Sequence, residues 1–237
     1  MPHPTRSPRC LTDQVRGHTF LPNCLNRTGK VIDLGMNKGD FATAMRDRYG
    51  CVVAGLEANP SLARATSGLS GIVCKNAAIS GTDGFVEFFV NKENSEASKI
   101  ISVPSQSVET MTVPSVSLSS FFREIGAEEI DLLKVDIEGA ELDLIEKTDP
   151  DDLRRCAQIT IEFHAFVFHD QAPRVETAIA RLSDLGFYYV DFSIRRTDVL
   201  FINSSVIELS AADKSYLIFQ KYRDGVKRRL GRVLQQA

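Results

Sequence analysis

A strand that ends in a glycine-containing turn carries the first residues suited to chemistry. The run Val31-Ile32-Asp33-Leu34 breaks at Gly35, and the turn continues through Asn37 to Gly39, after which a helical pattern begins. Glycines let the backbone approach a ligand closely, and the amides at a helix start face that ligand. Because Asn37 stands where a full G-x-G-x-x-G has its second glycine, the pattern suits either a nucleotide-binding turn or a merely tight strand-to-helix turn.

An acidic residue at the end of the next strand supports the nucleotide-binding interpretation. Glu57 follows Gly35 by 22 residues, and Asn59-Pro60 then supplies a helix cap with proline in the first turn. An acid at this place can accept hydrogen bonds from both hydroxyls of a ribose. The pair predicts an adenosine nucleoside site, and the alternative is an ordinary surface acid before a helix.

Polar residues interrupt a later apolar strand at Lys134 and Asp136, and Glu138 follows. Side chains alternate along a strand, so these three are predicted to project to one side, at the sheet edge where open α/β sheets bind ligands. The alternative is structural: a buried pair between Lys134 and a carboxylate, with Glu138 at a helix N-terminus.

The run Ile161-Glu162-Phe163-His164 places an acid and a histidine on one face at the end of the neighbouring strand. A neutral His164 imidazole could remove a hydroxyl proton near neutral pH, with Glu162 or Asp136 orienting the ring. A hydrogen-bonded structural histidine is the alternative. The same group could hold a divalent cation, but without tight ligand spacing no metal is predicted.

The elements that must position these residues alternate between short apolar runs and helical patterns from Lys30 onward, which is typical of a mostly parallel sheet with covering helices. A late hairpin, 187–203, inverts one strand. Residues 1–29 are predicted to be an irregular lead-in, 30–210 a single domain, and 211–237 a basic helical tail. Residues 91–107 are predicted to be a mobile loop, and Ser119 to cap a helix that runs through Ile125.

The composition of the chain disfavours several classes of function. A net charge of −3 gives no reason to expect a nucleic-acid partner, and a small-molecule or glycan acceptor fits better. Five cysteines without a C-x-x-C pair predict reduced thiols. No apolar run is long enough to span a bilayer, so no integral membrane association and a cytoplasmic location are predicted. The tail from Lys221 to Arg232 has six basic residues and one acid, which suits a membrane surface or, as we interpret it, an ordinary packed helix.

Taken together, four segments resemble the FkbM-type methyltransferase family. They are Val31 to Gly39, Glu57 to Pro60, Lys134 to Glu141, and Ile161 to His164. The resemblance covers about residues 30 to 203. It implies a Rossmann-like class I methyltransferase fold, with a mostly parallel seven-stranded sheet, a C-terminal antiparallel hairpin strand and helices on both faces. It also implies S-adenosylmethionine as donor and, usually, O-methylation of a sugar or natural-product hydroxyl.

On this hypothesis the methyl passes in line to an acceptor oxygen, and the protein contributes alignment and proton removal. The expected cofactor contacts are Asp33, Gly35, Asn37, Gly39, Glu57, Asn76, Ala77 and Asp136, with Glu57 at the ribose and Asn76-Ala77 at the adenine. The expected acceptor-facing residues are Asp136, Glu138, Glu162 and His164, with His164 as candidate base.

Two rival functions remain open at this stage. A nicotinamide-dependent oxidoreductase uses the same turn and acid. A non-catalytic nucleotide-binding module would share the fold without the chemistry. The sequence does not identify the acceptor or the oligomeric state.

Overall fold

The computed structural model describes residues 12–25, 28–91, 108–164, 171–193 and 195–235, with side chains up to residue 223. In chain order the strands are β1 (Asp13–Val15), β2 (His18–Phe20), β3 (Lys30–Leu34), β4 (Val52–Glu57), β5 (Ile72–Asn76), β6 (Ala78–Ile79), β7 (Gly84–Asn91), β8 (Val108–Val116), β9 (Leu132–Val135), β10 (Gln158–Ile161), β11 (Phe187–Asp191) and β12 (Val199–Asn203). The helices are α1 (Asp40–Tyr49), α2 (Pro60–Ser67), α3 (Leu118–Glu124), α4 (Glu141–Lys147), α5 (Pro150–Arg154), α6 (Ala172–Asp184) and α7 (Ala211–Gln235).

Seven strands form the central sheet, in the order β5-β4-β3-β9-β10-β12-β11. The five strands from β5 to β10 are mutually parallel, and β12 pairs antiparallel with both β10 and β11. The hairpin β11–β12 therefore inverts a single strand, as the sequence predicts. This arrangement confirms the predicted Rossmann-like class I methyltransferase fold.

The sheet is buried on both faces because its strands are apolar at consecutive positions. In β3, Val31 belongs to one apolar cluster and Ile32 to another, and in β9 Leu132 and Leu133 divide in the same way. Since consecutive side chains point to opposite faces, two cores form, one on each side of the sheet. Five parallel strands thus end at one edge, where the candidate residues lie.

The segment 1–29 does not match the predicted irregular lead-in over the part that is described. Strands β1 and β2 form a hairpin, and a 3-10 turn follows at Pro22–Cys24. Phe20 and Leu21 have no exposed surface, and the amide of Leu21 donates to Oε1 of Gln158 at 2.7 Å. Strands of three residues are too short to show a period, which explains why the sequence pattern misses this hairpin.

A small three-stranded sheet, β6-β8-β7, lies after the central strand β5. The run Phe85 to Val90 is typical of an inserted strand and lies within β7, whereas no sequence pattern predicts β8. The loop expected over 91–107 lies outside the described residues, apart from Asn91, which ends β7. Helix α3 is capped by Ser117, whose hydroxyl accepts from the amide of Ser120 at 3.2 Å, and not by Ser119. The Ser119 hydroxyl instead contacts the carboxylate of Asp152.

The predicted helix in the tail is present as α7, and Ile218, Phe219 and Tyr222 on it are exposed. Within the described part of the chain, no helix is long and apolar enough to cross a membrane. The cytoplasmic location stays a prediction. Cys24, Cys51 and Cys156 are buried residues outside any disulfide, and Cys74 is partly exposed.

Candidate active site

A cleft of about 560 Å³ opens at the carboxyl ends of β3, β4 and β9, beside the small sheet. Its lining includes six of the residues expected from sequence: Gly35, Asn37, Glu57, Ala77, Asp136 and Glu138. The remaining wall is mostly apolar, and the sequence does not predict it: Leu56, Ala58, Leu62, Ala78, Ile79, Phe88 and Ile137.

The turn after β3 depends on glycine at position 35. Gly35 has a φ of +80°, and a Cβ there would lie 1.8 Å from the carbonyl oxygen of Asp136. Asn37 also has a positive φ, +50°, a conformation that asparagine adopts more readily than most residues. The turn therefore follows the β9 end closely, and Gly35 and Asn37 line the cleft beside it.

Glu57 lies at the end of β4 with 7% of its surface exposed. Its two carboxylate oxygens accept from the amides of Asn37 and Asn59, each at 2.7 Å. Burial raises the pKa of the Glu57 carboxyl, and the two amide donors oppose that rise. Because a carboxylate has about four acceptor positions, both oxygens keep capacity for ligand hydroxyls.

Three residues that were expected to contact the cofactor do not line the cleft. Asp33 has no exposed surface and pairs with the Lys134 ammonium at 3.0 Å, so it supports the turn from below. Gly39 directly precedes α1 with a φ of +79°, and a Cβ there would lie 2.6 Å from the Leu69 side chain. The Asn76 amide donates to the carbonyl oxygens of Glu57 and Ala58, at 2.9 and 3.0 Å, which holds the end of β4 in place.

Beside the cleft lies a set of four carboxylates, the acidic cluster, which consists of Asp136, Glu138, Glu141 and Glu162. His164 lies among them: its Nε2 is 3.5 Å from Glu138, 3.9 Å from Asp136 and 4.0 Å from Glu162. Asp136, Glu138, Glu162 and His164 are thus brought together, as the sequence predicts.

The hydrogen-bond partner of His164 is Glu141, which the sequence does not single out for this role. Nδ1 of His164 lies 2.9 Å from Oε1 of Glu141, and that oxygen also accepts from the amides of Ile137 and Gly139. Burial lowers the pKa of the imidazole, but the bond to Glu141 and the nearby carboxylates outweigh burial and raise it to about 9. This raised pKa favours the protonated ring near neutral pH and so disfavours the expected role of His164 as a neutral base.

Lys134 serves the structural role that the sequence offers as the alternative. Its ammonium donates to the carbonyl oxygen of Gly35 at 2.7 Å and lies 3.4 Å from Asp136, besides its pair with Asp33. Burial alone would lower the Lys134 pKa, yet Asp33 and Asp136 raise it. Glu138, by contrast, is not at a helix N-terminus, since α4 begins at Glu141.

His18, which the sequence analysis misses, enters the site from the β1–β2 hairpin. It is 1% exposed, and its Nε2 lies 3.6 Å from Oδ2 of Asp136, beyond hydrogen-bond distance. Lys134 and His18 favour the charged form of Asp136 and hold its pKa well below the ordinary value, against the opposing effect of burial. No local motif marks His18, because it is 118 residues from Asp136 in the chain.

The site therefore combines a cleft at the strand ends, an acid at the end of β4, and an adjoining cluster of carboxylates. The match of a family model agrees with this chemistry: the Methyltransferase FkbM domain matches residues 33–189. The chain belongs to the FkbM family of S-adenosylmethionine-dependent methyltransferases. No curated protein sequence matches it.

Solved structures of methyltransferases and related proteins are similar at a distance. Aeropyrum pernix fibrillarin with bound S-adenosyl-L-methionine is 13% identical, with a TM-score of 0.43 over 75% of this chain and 66% of that one. Precorrin-6y C5,15-methyltransferase from Geobacter metallireducens is 11% identical, with a TM-score of 0.40 over 70% and 67%. The chain thus spans just under two thirds of the length of that fibrillarin.

Proposed function

We propose that this protein methylates a hydroxyl oxygen of a sugar, glycan or natural-product small molecule, with S-adenosylmethionine as donor. The main support for the proposal is the acidic cluster, which lies beside the cleft. Carboxylates accept hydrogen bonds from hydroxyl groups, and Asp136 and Glu138 line both the cleft and this cluster.

The residues of the cleft fit the donor. Gly35 and Asn37 line the cleft beside the turn, and Glu57 keeps acceptor capacity for the two ribose hydroxyls. Ala77 and Phe88 offer apolar surface for the adenine. When bound, the donor supplies a sulfonium methyl, which the acceptor oxygen attacks while the C–S bond breaks and its electron pair goes to sulfur.

The chain's own residues orient the acceptor and take its proton. Both ring nitrogens of His164 face carboxylates, which only accept hydrogen bonds, so the ring acts as a donor and offers no lone pair. The Asp136 carboxylate is paired with the Lys134 ammonium at 3.4 Å. Glu138 lines the cleft with its side chain 32% exposed, and we assign the hydroxyl proton to its carboxylate.

Calorimetric titration with S-adenosylhomocysteine and, separately, NAD tests the donor. S-adenosylhomocysteine is expected to bind, and Glu57→Gln, which removes one acceptor oxygen, is expected to weaken it by about tenfold. Glu128→Gln, an exposed acid remote from the cleft, is the matched control. Binding of NAD instead would establish the oxidoreductase alternative.

Product analysis by mass spectrometry with a panel of sugars, phenols and amines tests the acceptor. Glu138→Gln is expected to lower kcat by about 100-fold with unchanged S-adenosylhomocysteine affinity. Methylation restricted to amines would contradict the hydroxyl assignment. Donor binding without any product across the panel would favour the non-catalytic module.

A further inference from the structure

The buried His18 imidazole points an unpartnered nitrogen at carboxylates from two neighbouring strand ends. Nε2 of His18 makes no hydrogen bond, although only 1% of the residue's surface is exposed. Nδ1 lies 3.4 Å from the Thr160 hydroxyl oxygen, a contact in which either atom can be the donor. With Nδ1–H as the donor, the lone pair on Nε2 would be available to a ligand. A buried ring nitrogen without a hydrogen-bond partner is costly unless a ligand satisfies it.

We propose that His18, Asp136 and Glu162 form a binding site for one divalent first-row transition ion. One ligand atom from each residue lies within 4.8 Å of the other two, and the distance from His18 Nε2 to Asp136 Oδ2 is 3.6 Å. Atoms that share an ion at about 2.1 Å are roughly 3 to 4 Å apart, so small side-chain rotations complete the set.

The charge around these three residues favours a cation. Lys134 and Asp33 neutralise each other at 3.0 Å, which leaves the four carboxylates of the acidic cluster facing the imidazolium of His164. An ion at this place would reduce the repulsion among the carboxylates.

The donor set indicates the class of ion. Two carboxylates and one imidazole suit Mn²⁺, Fe²⁺, Co²⁺ or Zn²⁺ better than Mg²⁺ or Ca²⁺, which prefer oxygen ligands. The Thr160 contact to the second ring nitrogen resembles the outer hydrogen bonds that orient metal-binding histidines. Three protein ligands leave positions open on the ion.

The role of the ion rests on the proposed function, although its binding does not. Asp136 also lines the cleft, so the open positions lie beside the acceptor. A bound cation lowers the pKa of a coordinated hydroxyl, and a carboxylate base can then remove its proton.

The test uses tag-free, chelator-treated protein and Mn²⁺ alone, followed by electron paramagnetic resonance of the free ion and by calorimetry. Wild type is expected to bind one Mn²⁺ per chain, and His18→Gln and Glu162→Gln are each expected to bind at least about tenfold more weakly. Glu128→Gln is expected to match wild type. His164→Gln, which removes a histidine outside the proposed set, is expected to bind Mn²⁺ at least as tightly.

The possible results separate the ion site from the methyltransferase proposal. Wild-type protein that binds S-adenosylhomocysteine but no Mn²⁺ removes the ion and leaves the methyltransferase proposal standing. Loss of Mn²⁺ binding in His164→Gln, with binding retained in His18→Gln, places the ion on other residues. Binding of Mn²⁺ without S-adenosylhomocysteine supports the ion site and contradicts the proposed function. If His18→Gln does not fold, the ion site is tested by Glu162→Gln and by the electron paramagnetic resonance measurement on wild-type protein.

Discussion

Asp198 holds Thr19 through two hydrogen bonds, one from the backbone amide at 2.8 Å and one from the hydroxyl at 2.6 Å. The two residues are 179 positions apart in the chain. Gln14 donates to the same carboxylate at 2.7 Å, so Asp198 fastens both strands of the β1–β2 hairpin to the end of β12. Because His18 precedes Thr19 directly, this carboxylate also determines where His18 lies.

Replacement of Asp198 with asparagine is expected to loosen the hairpin. The amide keeps one acceptor oxygen and loses the charge, so we expect a loss of about 1 to 3 kcal/mol in the free energy of unfolding. Faster hydrogen exchange at the Thr19 amide is the direct measure. Asp184→Asn, an exposed acid on α6, serves as control. Unchanged protection at Thr19 would show that Asp198 does not hold the hairpin.

Gly35→Ala is expected to disrupt the cleft, because the added Cβ meets the Asp136 carbonyl and the φ is positive. Gly126→Ala isolates the second effect, since Gly126 has a φ of +61° and open space around its Cβ position. We expect about 1 kcal/mol of destabilisation for Gly126→Ala and more than about 3 kcal/mol for Gly35→Ala, with loss of S-adenosylhomocysteine binding. Urea unfolding and calorimetry measure both. Equal effects in the two variants would contradict the close approach.

Lys134→Met is expected to leave Asp33 buried without its counter-charge, at a cost of about 3 to 5 kcal/mol in unfolding free energy. The double variant Asp33→Asn with Lys134→Met removes both charges and is expected to be more stable than Lys134→Met alone. Urea unfolding of the two single variants, the double variant and wild type measures the coupling. If the loss in unfolding free energy of the double variant equals the sum of the losses in the two single variants, the two side chains are not coupled.

The thiols of Cys51 and Cys74 are expected to react slowly with iodoacetamide at pH 8, because burial raises the pKa of each to about 11. The folded pKa is above the ordinary value of 9.0, so the free energy of unfolding falls as pH rises from about 9 towards 11. Peptide mapping by mass spectrometry from pH 8 to 10 measures the rates, with urea-unfolded protein as control. Equal rates in folded and unfolded protein at pH 8 would contradict the raised pKa values.

The sequence predicts the fold and the cofactor side of the cleft well, because both depend on local patterns. Continuous apolar runs mark β3, β4 and β9, and Glu57 follows directly from the end of a strand. The direction of β12 is also predictable, since a polar turn between two short apolar runs requires a hairpin.

The remaining part of the site depends on contacts between distant segments, which leave no local pattern. His18 lies in a strand of three residues, and its partners follow more than a hundred positions later. The role of Glu141 depends on a turn in which Glu138 has a φ of +53°, a conformation that the sequence K-V-D-I-E-G does not reveal. The pKa of His164 follows from that bond and could not be predicted without it.

The β1–β2 hairpin lies before the first residue that the family model matches, residue 33. An expression fragment that begins at the first residue of the family domain would keep the glycine turn, Glu57 and the acidic cluster, yet it would lack His18. Such a fragment would also expose the surface that Phe20 and Leu21 cover, and the two defects would be difficult to separate in an activity assay. Gene designs and comparisons between family members therefore need to include the residues that precede the conserved-domain boundary.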